Sequence, residues 1–172
     1  MLACATNQST QAKPLTAAPL DLKRFRTVTV AQFEPAPGKK IDGSVGEKFA
    51  SEIAFRLQHD FGPLFREVRG VENPLGTEDE LIVTGMIKSY HPGSRGVRAT
   101  FGIVGGLAGA SSFEAEVVLK DGKNNTVLLS APIDKFWGWG GWPGGSYGVE
   151  EQLQASAAAV ANTVARAKGW NP

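Results

Sequence analysis

Residues 112–120 alternate strictly, with Phe113, Ala115, Val117 and Leu119 on one side against Glu114, Glu116 and Lys120 on the other. A period of two sends successive side chains to opposite faces of a strand, so this segment is predicted as a strand with one dry face and one wet face. The turn-forming run Asp121-Gly122-Lys123-Asn124-Asn125 follows and leads into a second run, Thr126 to Ser130. An antiparallel hairpin is the shortest way to join two such runs. Antiparallel sheets accept a solvated face, whereas all-parallel sheets are covered on both, so the wet side of this hairpin constrains the whole fold.

The remaining elements are read against that hairpin. Residues 80–90 place Leu81, Val83 and Ile87 on one face and Thr84 and Lys88 on the other. Residues 27–33 are rich in β-branched side chains and close at Glu34-Pro35-Ala36-Pro37-Gly38, which reads as a strand ending in a turn. Ser44-Val45-Gly46-Glu47 has capping-box spacing, and Phe49, Ala50, Ile53, Ala54 and Leu57 continue at helical spacing until Gly62-Pro63. A short strand over 64–68 and a polar loop over 71–79 connect this helix to residue 80, and Asp79-Glu80 is taken as solvated. The last element is an alanine-rich helix over 150–168, with Leu153, Ala157, Val160, Ala161 and Val164 as its apolar stripe. Glu150 and Glu151 in the first turn, Arg166 and Lys168 in the last, and Gly169 beyond agree with the helix dipole and a C-terminal cap. The order β-α-β-β-β-β-α describes an α+β fold, a mainly antiparallel sheet with two helices packed on one face.

The chain has 172 residues, 42% of them hydrophobic, enough for one domain with a core of its own, expected over 25–170. Residues 1–24 are small, polar and proline-punctuated in large part and are expected to form a flexible tether. Eighteen basic and 17 acidic residues leave a net charge of +1, so no electrostatic footprint for nucleic acid is present. A single cysteine excludes an internal disulfide framework and any multi-cysteine zinc site. His59 and His91 are far apart and lack metal-ligand spacing, so no metal or cofactor is expected. The apolar run over 99–113 falls short of the ~20 residues a membrane-spanning helix needs.

That cysteine is the most informative functional residue. Leu2-Ala3-Cys4 matches the end of a lipobox, in which small residues precede a cysteine that is acylated on sulfur and becomes the mature N-terminus. Dual acylation would anchor the chain stably in a membrane, with a tether as the natural context. The basic and apolar regions of a secretory signal are missing before Cys4, so the chain is expected to begin inside a longer precursor.

Two further segments stand out. The run over 101–110 carries Gly102, Gly105, Gly106 and Gly109, but its spacing is not the G-x-G-x-x-G of a dinucleotide site and it leads into a strand. Those glycines suit a close backbone approach or a small-residue contact with another chain. Residues 137–147 hold Trp137, Trp139, Trp142 and Tyr147 among glycines, a composition that serves either as a lid over the core or as a contact surface. No G-x-S-x-G elbow, H-E-x-x-H or apolar carboxylate pair is present, and the chain is read as not an enzyme.

The segments Val28-Thr29-Val30-Ala31-Gln32-Phe33, residues 61–68, Leu81-Ile82-Val83-Thr84-Gly85, Gly93-Ser94-Arg95 with the glycine run, and Val117-Val118-Leu119-Lys120-Asp121-Gly122 together resemble a bacterial lipoprotein family known as domain of unknown function 4410. The resemblance spans about residues 25–168. It implies an outer-membrane lipoprotein facing the periplasm, held by a lipid on Cys4 and without assigned catalysis. Ala5 after Cys4, in place of an acidic retention signal, is what points to the outer membrane. The expected task is a non-catalytic binding or scaffolding module whose partner is an envelope protein. The alternative is an oligomerising component of a secretion or surface structure.

Overall fold

The computed structural model describes residues 20–92, 111–133 and 148–171. Along the chain these form β1 (Thr27–Val30), β2 (Glu34–Pro35), α1 (Gly43–Phe61), a 3₁₀ turn (Gly62–Leu64), β3 (Glu67–Gly70), β4 (Glu80–His91), β5 (Ser112–Asp121), β6 (Val127–Pro132) and α2 (Val149–Lys168). The strands make one sheet in the order β3-β1-β4-β5-β6, with the two-residue β2 also paired to β4. The α+β class and the order of elements are those the sequence predicts. The sheet itself is mixed, its longest ladder, β4 with β5, being antiparallel. β1 is parallel to both β3 and β4 because α1 carries the chain back before β3 begins and residues 71–79 carry it back again before β4.

Phe113, Ala115, Val117 and Leu119 of β5 turn inward as their alternation requires, joined by Leu81, Val83 and Ile87 of β4 and Val28 and Val30 of β1. Phe49, Ile53 and Leu57 of α1 and Leu153, Ala157, Val160 and Val164 of α2 close over this face. Phe49 sits at the centre, edge-on to Phe33 and to Phe113 with ring centroids 4.9 Å apart in each case. Leu22, inside the segment expected as tether, is also part of the core.

Several boundaries differ from those expected, each for a local reason. α1 begins earlier than Ser44: Asp42 is its N-cap, its carboxylate accepting the Ser44 N–H at 2.8 Å, and that bond lowers the Asp42 pKa. β1 stops at Val30, and residues 31–33 form a bulge that drives Phe33 into the core before β2 resumes pairing with β4. Glu34-Pro35, expected as part of a turn, is thus a short strand. β3 lies at Glu67–Gly70, later than the segment over 64–68, since Gly62–Leu64 are a 3₁₀ turn. α2 ends as expected at Gly169, whose φ of +108° suits glycine, with its N–H donating to the Arg166 carbonyl at 2.9 Å.

Candidate functional site

Every residue singled out for function in the sequence, Cys4, Gly102, Gly105, Gly106, Gly109, Trp137, Trp139, Trp142 and Tyr147, lies outside the described residues. The described residues show where the chain enters and leaves the two internal segments. β4 ends with His91 paired to Ser112 at the start of β5, so the roots of residues 93–110 are adjacent. Pro132 pairs with Glu116, and the Ile133 N–H donates to the Ala115 carbonyl at 2.8 Å, which brings the end of β6 to the same end of the sheet. The N-terminus of α2, just after residues 134–147, meets it there.

Two polar clusters join α2 to that end. The Tyr90 hydroxyl donates to Glu150 at 3.3 Å, and Lys48 of α1 forms an ion pair with the same carboxylate. Burial and then the Glu150 charge raise the Tyr90 pKa, while the hydrogen bond to Glu150 raises that of Lys48. Tyr90 points at α2 because the β4–β5 register shifts between Ile87 and Ser89, which moves it to the helix side of the sheet. Second, Gln152 Nε2 donates to Ser111 Oγ at 2.8 Å and to its carbonyl at 3.2 Å. The end of the fold that bears both segments is therefore stitched by side chains from α1, β4, α2 and the residue before β5.

The opposite end holds a group that the sequence reading missed. Glu80 is fully buried, on the sheet face away from the helices. Its carboxylate accepts the Thr29 hydroxyl at 2.6 Å, the Leu75 N–H at 2.9 Å and the Gly76 N–H at 2.7 Å. Burial alone would raise its pKa, but these bonds outweigh it, so the net shift is downward. In sequence, Asp79-Glu80 reads as solvated because both are charged and follow a polar loop. Only strand register reveals that Glu80 stands beside Thr27 under that loop. The packing around Glu80 extends to Gly122, where a Cβ would lie 2.7 Å from that of Glu80.

Among the described residues no group of three or more His, Cys, Asp or Glu is placed to hold a metal ion. None of the described helices is long and apolar enough to cross a membrane.

No protein-family model matches the chain, and no curated protein matches it. Solved structures do. A dodecamer of a PelC point variant from Paraburkholderia phytofirmans is 16% identical, with a TM-score of 0.53 over 84% of this chain and 94% of that chain. The likeness is one of fold. A second PelC dodecamer from the same organism, in another crystal form, gives 16% identity and a TM-score of 0.51, covering 84% of this chain and 95% of that chain. The match spans nearly the whole PelC chain, so the fold is shared as a unit and not as an isolated βαβ or hairpin motif.

Proposed function

We propose that this chain is a non-catalytic envelope lipoprotein, anchored through Cys4 at the periplasmic face of the outer membrane, whose folded domain assembles with copies of itself. The observation that carries the assembly reading is the nearly full-length likeness in fold to chains that form PelC dodecamers. Of the two tasks weighed from the sequence, this favours the oligomerising component over a solitary scaffolding module. The open sheet is compatible with it: β3 and β6 are edge strands among the described residues, and an edge offers unpaired backbone groups to a neighbouring chain. A head-to-tail contact between two different surfaces closes into a ring when its rotation permits.

Native mass spectrometry of full-length protein extracted from membranes in mild detergent tests this reading. A closed homo-oligomer is expected, and a strict monomer over the micromolar range overturns assembly in favour of a monomeric module that binds another envelope protein. Intact mass of the same material tests the anchor: acyl chains on Cys4 are expected, and a free thiol on water-soluble protein removes the envelope reading.

A further inference from the structure

Residues 72–79 cross the outer face of the sheet, away from both helices, and are held there almost entirely by polar contacts. Their one large aliphatic side chain, Leu75, is 52% exposed. Thr27, Thr29, Glu80 and Ile82 are buried on the same face of β1 and β4, and Glu80 and, through it, Thr29 are tied to the segment. The ties come from every neighbouring element. Arg69 of β3 pairs with Glu72 and donates to the Asn73 carbonyl at 3.3 Å. Arg66 approaches Asp79 at 3.3 Å, and Lys123 of the β5–β6 turn pairs with Glu78. Arg24 donates to the Glu78 carbonyl at 3.3 Å, and the Asp79 carbonyl accepts the N–H groups of Arg26 and Thr27 at 2.8 and 3.0 Å.

These ties differ in strength. The ion pairs of Glu72 and Glu78 involve exposed carboxylates and contribute little in water. The Glu80 carboxylate is different: it is buried, and it accepts two successive N–H groups, from Leu75 and Gly76, besides the Thr29 hydroxyl. A segment with scant apolar anchoring and one strong interior tie opens locally at lower cost than the core around it.

We propose that residues 72–79 are a releasable strap latched by the Glu80 carboxylate, whose opening uncovers Glu80 and Thr29 on the outer face of β1 and β4. The opened face is rimmed by Arg66, Arg69 and Lys123, which the closed strap occupies with its own acidic groups. The inference is independent of self-assembly, since it concerns the closed strap of a single chain.

Native-state amide hydrogen exchange on the full chain tests it. In the wild type the Leu75 and Gly76 amides are expected to be protected, yet to exchange at least about tenfold faster than the Val117 and Leu119 amides of β5, because they open without global unfolding. Glu80→Gln replaces an acceptor with a donor-bearing amide and is expected to accelerate those two amides by about tenfold or more relative to β5. Should Glu80→Gln fail to fold, Thr29→Val removes one partner of the carboxylate and is expected to accelerate the same amides about threefold. Wild-type strap amides that exchange together with those of β5, or that are unprotected altogether, overturn the proposal. So does a folded variant that leaves their exchange unchanged relative to β5.

Discussion

The ring of Phe33 occupies the space that any side chain on Gly85 would need: a Cβ there would stand 2.7 Å from Phe33 Cε1 and 1.9 Å from the Glu116 carbonyl oxygen. The bulge over residues 31–33 and the glycine in β4 are two halves of one arrangement. Val30 pairs with Val83 and Glu34 with Met86, so three residues of the first chain segment stand opposite two of β4, and the surplus turns Phe33 inward. A similar intimacy recurs at Gly46 of α1, where a Cβ would fall 1.7 Å from the Phe33 carbonyl oxygen.

Gly85→Ala and Gly46→Ala are therefore expected to destabilise the fold by about 2–3 kcal/mol each, since backbone must move to admit the methyl group. Urea denaturation followed by circular dichroism measures this. A loss below about 0.5 kcal/mol for either would contradict the packing described.

Phe49 and Phe55 lie on the same helix with opposite exposure, Phe49 at 0% and Phe55 at 56%. Phe49→Ala is expected to cost about 3–5 kcal/mol through lost burial and a cavity between Phe33 and Phe113. Phe55→Ala is expected to stay within about 0.5 kcal/mol of wild type. Thermal melts of the two variants side by side discriminate, and equal losses would show that the face of α1 is misassigned.

Glu80 gives the fold an acid sensitivity whose sign follows from its lowered pKa. Its contribution is complete above the usual glutamate value of 4.5 and is lost as pH falls below that, through the depressed value in the folded protein. The segments that adjoin it carry Arg24, Arg66, Arg69, Glu72, Glu78, Asp79, Asp121 and Lys123, paired among themselves. Urea midpoints taken from pH 7 down to 3 are expected to fall in the wild type and to fall less steeply in Glu80→Gln. A residual slope will remain because Glu78, Glu116 and Asp121 also have lowered pKa values. Identical slopes in both proteins would remove Glu80 from this role.

The Lys48–Glu150 pair is conspicuous but weak, because its side chains are 56% and 46% exposed. Lys48→Met is expected to change stability by no more than about 0.5–1 kcal/mol, and the difference should shrink in high salt. A loss of several kcal/mol, insensitive to salt, would mean that this junction between α1 and α2 is far drier than its exposure indicates.

The readable parts of the sequence were those in which a residue's neighbours along the chain decide its environment. The alternation through Phe113 and Leu119 placed β5 to within one residue, and the stripe from Leu153 to Val164 with Gly169 beyond it placed α2 and its end. Ser44 misled because Asp42, two residues earlier, is an equally good cap and nothing local ranks one above the other. Thr27–Val30 could be read as a strand, but its parallel pairing on both sides could not, since partners 40 and 53 positions away leave no trace in four residues. For the candidate site the balance is different: the functional residues chosen from sequence are outside what the structure describes, and the buried carboxylate it does describe was taken for a solvated one.

By itself the sequence determined the α+β class, the order of elements and the inward faces of the hairpin and the last helix, because hydrophobic period and capping act over a few residues. Only the tertiary structure decided which strands run parallel, that Phe33 turns inward beside a glycine, and that Glu80 is sealed under residues 72–79. Those outcomes depend on groups that are distant in the chain and adjacent in space, where register and close packing choose among side-chain environments that local composition leaves equivalent.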